Sequence, residues 1–509
     1  MKSKTWLSIW FTFVIIALLS IVGLVCKIDP YFHYHKPDTK SYYYSLDNQR
    51  SQNDGISKHF EYNALITGTS MTENFKTSEM DEMFGVNSIK VPFSGGSYKE
   101  INDNLAVALE SNPELKTVIR CLDYGALMYD KDIMRTDLGK YPTYLYDKNP
   151  FNDVFYIYNR DVIFGRIYPM ISNANKKTGI TSFDDYAYWQ PGYTFGINTV
   201  EPGGIFIAQA EKEIHLSEEE KNIIYGNITQ NVTSLAQKYP DVNFYYFFSP
   251  YSAVWWSDLV SDGTIYKWIE AEQYVIELIL EQKNIHLYSF NNRTDITTDL
   301  NNYKDTIHYG EWVNSLMLKW MHEGEYLLTK DNYLKYINEE LLFYTNFDYN
   351  SLNNQVDYEW DYYVAALLNK ELSGEEPLEL LDSDEVMYKL SNAELVNNQY
   401  NGEKGVLCKG NLHRESDDAT DLSDYILNSE YIGIKIDIAD LGEHRYLSFY
   451  GKKISDHGQP TVYVYDANNI IIGTCTTSYQ MVDDEWHQYL IDLQDADESV
   501  TIVFNGGYI

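Results

Sequence analysis

The sequence predicts an α/β protein: a three-layer α/β/α domain with a parallel sheet, followed by a smaller domain built only of strands. The first observation is that short apolar runs alternate with amphipathic helical segments between residues 61 and 330, as in parallel sheets flanked by helices. The second is that segments of 381–509, such as IGIKIDIADL and PTVYVYD, alternate apolar and polar residues between turn clusters. That pattern favours a C-terminal β-sandwich.

Length and charge limit the number of domains and the classes of binding partner. A chain of 509 residues is too long for one core, so two or three domains are expected. The net charge is −36, from 75 acidic and 39 basic residues, and such a surface repels a polyanion. Nucleic acid is therefore excluded as a partner. Tyrosine is frequent, with 47 copies, and suits both ordinary cores and sugar-contacting surfaces.

The N-terminus predicts a membrane anchor. Lys2 and Lys4 precede 21 uncharged residues from Trp6 to Cys26, which is long enough to cross a bilayer as a helix. Basic residues before the helix favour a cytoplasmic N-terminus (residues 1–5) and an external body. A cleaved signal peptide has a shorter apolar core and small residues at its exit, and GLVCKIDP lacks that pattern. We expect a single-pass protein of the cell membrane with its bulk extracellular.

Five strands are predicted after a juxtamembrane stalk at 27–60. They are the apolar runs at 62–68, 87–93, 116–123, 241–250 and 284–290. The alternation breaks at 128–215, which is rich in aromatic residues, Asp, Asn, Gly and Pro, and which we interpret as an insertion. An acidic helical connector is expected over 331–380, between the α/β domain and the sandwich.

Residues that can carry chemistry follow these strands. In open parallel sheets function lies at the carboxyl ends of the strands. Ser70 follows the first, Gly95 the second and Asp123 the third, while Asp305 and His308 come shortly after the fifth. These are the parts of a serine hydrolase: a hydroxyl nucleophile, a neutral imidazole base, a carboxylate that orients it, and backbone N–H groups that receive an oxyanion.

GTSMTENF, FSGGS and DTIH, in this order, resemble the SGNH (GDSL-like) hydrolase superfamily over roughly residues 60–328. The resemblance implies a flavodoxin-like domain, a nucleophile at Ser70, a catalytic pair Asp305 and His308, and an oxyanion hole at Ser70 and Gly95. The sequence departs from the family pattern at two positions. Thr69 stands where the family has aspartate, and Asp123 where it has an asparagine that donates to the oxyanion. An ionised carboxylate only accepts hydrogen bonds, so Asp123 is a third oxyanion residue only if protonated; a loop-orienting role is the alternative.

The membrane anchor adds a second resemblance. An external SGNH domain on one helix is similar to the partners of membrane-bound O-acyltransferases, which include alginate and peptidoglycan O-acetylation proteins and the D-alanine transfer protein of teichoic acids. In that setting the strand-rich domain resembles a jelly-roll carbohydrate-binding module. The resemblance implies an envelope polysaccharide or teichoic acid as partner, together with a multi-pass acyltransferase.

Each candidate also has a structural interpretation. Ser70 and Ser97 both begin an S-x-x-E capping box, and Ser97 is taken as a cap. The glycines after the second strand are also common in simple turns. Candidate substrate-binding aromatics, which are equally ordinary core residues, are Tyr186, Trp189, Trp255 and Trp256.

The sequence thus leaves two functions open. The first is an extracytoplasmic serine esterase or O-acyltransferase that forms an acyl-enzyme on Ser70. The second is a non-catalytic glycan-binding or scaffolding protein with the same fold. The four cysteines form no CxxC pair, and no metal site or cofactor is predicted in either case.

Overall fold

The computed structural model describes residues 3–137, 141–173, 177–190, 193–207 and 210–355, together with the C-terminal strands given below. The chain forms two compact units, one of residues 1–189 and 200–355 and the other of residues 190–199 and 356–509. The helices are α1 (Ser3–Ile28), α2 (Gln49–His59), α3 (Thr77–Phe84), α4 (Tyr98–Ser111), α5 (Val154–Ile157), α6 (Tyr168–Asn173), α7 (Ile197–Val200), α8 (Glu218–Ile228), α9 (Ser234–Lys238), α10 (Ala253–Asp262), α11 (Ile265–Ile279), α12 (Thr294–Thr297), α13 (Glu311–Glu323) and α14 (Tyr333–Asn346).

The strands of the first unit are β1 (Tyr43–Tyr44), β2 (Ala64–Gly68), β3 (Ser88–Pro92), β4 (Thr117–Leu122), β5 (Gly179–Ile180), β6 (Asn243–Phe248), β7 (Ile285–Ser289) and β8 (Leu327–Leu328). Within the described residues, a six-stranded sheet has the order β3-β2-β4-β6-β7-β8. The first five strands are parallel, in the order expected of a flavodoxin-like sheet. The edge strand β8 is antiparallel, so the sheet is mixed, and the prediction of a parallel sheet missed this edge.

Helices cover both faces of the sheet. The chain runs from β2 to β3 in one direction along the sheet and from β3 to β4 in the other, so right-handed crossovers place α3 and α4 on opposite faces. Accordingly α3 packs with α13, whereas α4 packs with α2. Because the strands between the two helical layers are buried on both sides, β2 and β3 are buried at every position. The carboxyl ends of β2, β3 and β4 therefore meet at one edge.

Helix α14 belongs to the first unit. It packs against α10 and α11, although its residues fall in the predicted connector. The remainder of that connector, residues 356–380, lies outside the described residues.

Two glutamates are fully buried between these helices. Glu272 on α11 and Glu340 on α14 are both 0% exposed. Burial raises the pKa of Glu272 to about 7, and burial together with the neighbouring carboxyl group raises the pKa of Glu340. We infer that the pair retains at least one proton at neutral pH, because two buried like charges repel each other strongly.

The second unit contains strands β9 (Met387–Ser391), β10 (Ala393–Asn397), β11 (Lys404–Cys408), β12 (Gly433–Ile438), β13 (Tyr446–Gly451), β14 (Thr461–Asp466), β15 (Ile471–Thr476), β16 (His487–Asp492) and β17 (Val500–Asn505). Five of them form an antiparallel sheet of order β15-β14-β17-β12-β9, and β10–β11 and β13–β16 form antiparallel pairs. In β12, Ile434, Ile436 and Ile438 are buried while Asp437 is exposed. This period of two agrees with the predicted strand pattern, and the jelly-roll sandwich itself stays a prediction.

Candidate active site

The turn after β2 carries the candidate nucleophile. Gly68 ends the strand with φ +152°, and a Cβ atom there would lie 2.7 Å from Thr72 Cγ2 and 2.9 Å from the Cβ of Cys121. A residue with a side chain does not fit, which explains the glycine. The chain then turns directly into a short 3₁₀-helix, Ser70–Thr72. Ser70 is thereby presented at the carboxyl edge of the sheet.

The candidate base lies on the loop before α13. Asp305 Oδ1 accepts hydrogen bonds from the backbone N–H groups of Ile307 (2.9 Å) and His308 (2.8 Å). The same carboxylate meets His308 Nδ1, at 2.8 Å from Oδ2 and 3.0 Å from Oδ1. Two backbone donors thus fix the aspartate, and the aspartate fixes the imidazole ring, with Nδ1 as the protonated nitrogen and Nε2 as the acceptor.

Ser70 and His308 meet although 238 positions separate them. The distance between Ser70 Oγ and His308 Nε2 is 2.8 Å, which is a hydrogen bond. Burial alone would raise the pKa of Asp305, but the hydrogen bonds and charge of His308 outweigh it and lower that pKa. The carboxylate is therefore ionised at neutral pH, as needed to stabilise an imidazolium. Serine, histidine and aspartate form one continuous hydrogen-bonded chain.

Gly95 lies in the loop after β3, the strand next to β2. Its φ is +55°, a left-handed conformation that favours glycine, and a Cβ there would lie 2.0 Å from Arg135 Nη1. The preceding carbonyl, of Ser94, accepts hydrogen bonds from Arg135 Nη1 (2.7 Å) and Arg50 Nη2 (3.1 Å). The backbone of this loop is therefore held by two guanidinium groups.

Asp123 does not act as a hydrogen-bond donor in this geometry. Its Oδ2 accepts from Thr69 Oγ1 at 2.7 Å, and its Oδ1 accepts from the Gly125 N–H at 3.0 Å and from the hydroxyl of Tyr251. Both carboxylate oxygens thus accept hydrogen bonds, as the loop-orienting alternative expects, and a role of Asp123 in the oxyanion hole stays a prediction. The two departures from the family pattern explain each other: Thr69 and Asp123 bond directly and tie the ends of β2 and β4 together.

Trp189, from the insertion, covers the triad. Its indole N–H donates to the Ser70 carbonyl at 3.4 Å, and its ring lies edge-to-face with His308, with 5.8 Å between the ring centroids. Lys304 Nζ lies 4.2 Å from the centroid of the same indole ring. Trp189 and Lys304 are both partly exposed, so they line the approach to Ser70. Lys304 was missed by sequence reasoning, since a lone lysine carries no motif.

Two of the other three candidate aromatics are buried in the core. Tyr186 is 0% exposed and donates to Asn53 Oδ1, so it cannot stack on a sugar. Trp256 is also 0% exposed and stacks on Tyr344 at 4.3 Å. Trp255 is partly exposed and packs against Tyr251, which holds Asp123. For Tyr186 and Trp256 the core interpretation is correct, because both fill space between packed elements.

Lys90, on β3, is a second residue that sequence reasoning missed. It is 0% exposed, and its ammonium group donates to the backbone carbonyls of Glu73, Phe75 (2.9 Å) and Asp184 (3.3 Å). The first two carbonyls follow the Ser70 turn, and the third belongs to the insertion that carries Trp189. Burial lowers the pKa of Lys90 to about 7, against the opposing charges of Asp184 and Glu73. The buried Lys90 side chain thus joins the turn that carries Ser70, here called the nucleophile turn, to the part of the insertion that carries Trp189.

Comparison with known proteins adds structural neighbours. No family model matches the chain, and no curated protein is significantly similar to it. Among solved structures, the chain is similar to a provisionally assigned platelet activating factor from Streptococcus pneumonia, with 13% identity, a TM-score of 0.27, and coverage of 54% of this chain and 88% of that one. It is also similar to a two-domain esterase active on acetylated mannans, with 8% identity, a TM-score of 0.21, and coverage of 92% and 87%. TM-scores of this size carry no argument about function, which therefore rests on the side chains.

Proposed function

We propose that the protein is a serine acyl esterase or O-acyltransferase of the SGNH type, in which Ser70, His308 and Asp305 are the catalytic residues. The observation that carries this proposal is the hydrogen-bonded chain from Ser70 Oγ through both nitrogens of His308 to Asp305. A serine, an imidazole and a carboxylate in this connection are recognised by their geometry, whatever their positions in the sequence.

Acylation follows from the geometry. Ser70 Oγ attacks the carbonyl carbon of an acyl ester, and its proton passes to His308 Nε2 over the 2.8 Å hydrogen bond. The backbone N–H groups of Ser70 and Gly95 are proposed to receive the negative charge on the carbonyl oxygen. The tetrahedral intermediate collapses when the bond to the leaving oxygen breaks, and His308 returns the proton to that oxygen. The products are an acyl-enzyme on Ser70 and a free alcohol.

Deacylation reverses these roles. His308 removes a proton from an incoming hydroxyl group, whose oxygen attacks the acyl carbon, and Ser70 leaves with the proton that His308 returns. Water gives a carboxylic acid, whereas a sugar hydroxyl gives a transferred ester. Because Asp123 accepts hydrogen bonds, the donors proposed for the oxyanion are the backbone N–H groups of Ser70 and Gly95. Loss of one oxyanion donor costs on the order of 10²–10³ in rate.

The proposed setting is the outer face of a cell membrane, with α1 as a retained anchor. Among the described residues, α1 is the one helix long and apolar enough to cross a bilayer, over Lys4–Ile28. Packing supports retention rather than cleavage. Val25 and Ile28 are at most 1% exposed and belong to the same buried cluster as Tyr156 and Val162 of the body. Removal of α1 would expose this core.

The proposed acceptor or substrate is an envelope polysaccharide or teichoic acid, with a membrane-bound O-acyltransferase as candidate donor of the acyl group. This finer assignment rests on the family resemblance given above and on the anchor. The competing function is a non-catalytic, glycan-binding partner of such an acyltransferase. It is favoured only by the missing third oxyanion donor at Asp123.

A fluorophosphonate probe distinguishes the two functions. It phosphonylates an activated serine and needs no knowledge of the natural ester. The wild-type chain is expected to be labelled, and Ser70→Ala is expected to abolish labelling. If folded wild-type protein is not labelled, the catalytic proposal is wrong and the scaffolding function stands.

Ser97→Ala is the matched control. Ser97 also follows a strand and begins S-x-x-E, but its side chain accepts from the Glu100 N–H in a complete capping box at the start of α4. Loss of such a cap costs about 1 kcal/mol of stability and leaves the triad intact. Labelling of Ser97→Ala should equal that of the wild type.

A further inference from the structure

One surface of the insertion exposes many apolar and aromatic side chains. The exposed ones within 151–171 are Phe151 (89%), Val154 (45%), Phe155 (60%), Tyr158 (39%), Phe164 (66%), Tyr168 (66%) and Ile171 (46%). They lie on α5, on the π-helical segment Asp161–Ile167, on α6 and in the turns on either side of α5. We call residues 151–171 the apolar shoulder. Soluble surfaces rarely carry such a concentration without a partner.

The apolar shoulder packs along α1. Its inward residues Tyr156, Val162 and Ile167 are at most 1% exposed and share a cluster with Val25 and Ile28. On the same side, Ile21 and Leu24 of α1 pack against this cluster together with shoulder residues Ile157, Ile163 and Met170. The inner face of the shoulder thus packs against the proposed membrane helix, and within the part of the chain that the structure describes its outer side chains remain 39–89% exposed.

The contact extends into the part of α1 that must lie in lipid. The hydroxyl of Tyr158 donates to the carbonyl of Leu18 at 3.4 Å. A helix needs about 20 residues to cross the hydrocarbon core. Every window of that length within Lys4–Ile28 contains both Leu18 and Ile21. Wherever α1 sits along the membrane normal, some of the apolar shoulder therefore lies at the depth of the bilayer.

The charges around the shoulder fit a membrane–water boundary. Arg160 and Asp161 are exposed at its turn, and Arg166 forms an ion pair with Asp47. Lys27 is exposed near the end of α1. Aromatic rings and long basic side chains are the residues that membrane interfaces favour, because each has an apolar part and a polar tip.

We propose that the apolar shoulder is a second membrane contact, embedded beside α1 in the interfacial region of the lipid bilayer. The proposal rests on the anchoring role of α1 proposed above and is independent of the catalytic triad. A single helix allows a folded body to swing above the membrane. Two adjoining contacts fix its tilt and height, and hence the height of Ser70 above the lipid.

The test uses the full-length protein in lipid nanodiscs that contain a phospholipid with a photoactivatable diazirine in its acyl chain. After irradiation, covalent lipid adducts are mapped by mass spectrometry. Adducts are expected on α1 and on residues 151–171. Helix α14 is the internal control, because Leu334 and Leu342 are 50% and 66% exposed yet belong to a helix packed on α10 and α11. It should gain at least tenfold fewer adducts than the shoulder.

The outcomes separate the two proposals. Adducts on α1 alone would overturn the shoulder contact and leave the anchor proposal intact. They would mean that the apolar shoulder faces water or binds a membrane protein. Adducts on neither segment would overturn both. Labelling of Ser70 by a fluorophosphonate is measured on the same samples and reports on catalysis separately.

Substitution provides a second readout. Phe155→Asp places a charge on the outer face of the shoulder, and Leu342→Asp places the same charge on α14. The first is expected to reduce shoulder adducts several-fold, whereas the second should leave them unchanged. Equal adduct yields in both variants would contradict a lipid contact at Phe155.

Discussion

Asp305→Asn tests the triad most directly, because it changes one atom. The asparagine carbonyl can take the place of Oδ1 and still accept from the N–H groups of Ile307 and His308, so the loop keeps its shape. Its NH₂ group then takes the place of Oδ2 and faces His308 Nδ1 across 2.8 Å. The NH₂ group opposes a protonated Nδ1 at the shorter contact, and the 3.0 Å contact with the remaining carbonyl oxygen offsets this only in part, so the imidazole favours its proton on Nε2. In that tautomer it cannot accept the Ser70 proton.

The expected loss is about 10⁴-fold in the rate of serine acylation, or about 5.5 kcal/mol, which is the cost measured for a wrong tautomer in another serine hydrolase. The assay is the second-order rate constant of fluorophosphonate labelling, with the melting temperature of each variant as a measure of folding. Asp299→Asn is the matched control, since Asp299 Oδ1 also accepts a backbone N–H, from Asn301 at 3.0 Å, in the same loop region. Labelling of Asp305→Asn within tenfold of the wild type would refute the assignment of Asp305 and the tautomer argument with it.

Two further predictions concern buried ionisable groups. Lys90→Met should lower the labelling rate at least tenfold, because the nucleophile turn loses its link to the insertion; an unchanged rate would show that Lys90 positions nothing. The pKa of Lys90 is about 7 in the folded chain and about 10.4 in the unfolded chain. Between these pH values the unfolded chain binds more protons, so the stability of the wild type should rise with pH. The Lys90→Met variant should lack this rise. Glu340→Gln tests a pH dependence of stability with the opposite sign. The buried pair of Glu272 and Glu340 keeps protons that the unfolded chain releases above about pH 4.5, so the stability of the wild type falls as the pH rises toward 7. At pH 7.5 the variant should have a higher melting temperature of the α/β unit than the wild type, with no difference at pH 4. Glu339→Gln, on the exposed side of the same helix, should change neither value.

Local patterns predicted the elements of the α/β domain well. The apolar runs at 62–68 and 87–93 contain β2 and β3, and those at 241–250 and 284–290 contain β6 and β7. Burial on both faces makes central strands continuous apolar runs, so they stand out from their surroundings. The antiparallel edge strand β8 has two residues and no such run, and nothing local distinguishes it from a loop.

Contacts between residues that are distant in the sequence were harder to predict. The pairing of Thr69 with Asp123 depends on two strands being neighbours, and each residue alone looked like a departure from a pattern. Lys90 lies in a short apolar run where a charged residue is unexpected, and only the three carbonyls around it give the reason. Exposure is likewise a tertiary property: Tyr186 and Trp189 are three residues apart in one aromatic segment, yet one is core and the other covers the site.

By itself, the sequence determined the order of strands and helices, the apolar N-terminal helix and the residue types of the candidate triad, because periodicity and residue chemistry are local properties of a chain. Tertiary structure decided which serine meets which histidine, what Asp123 binds, and that the insertion lies against the apolar N-terminal helix. Those contacts join residues more than fifty positions apart, and only the packing of the sheet and its helices brings them together.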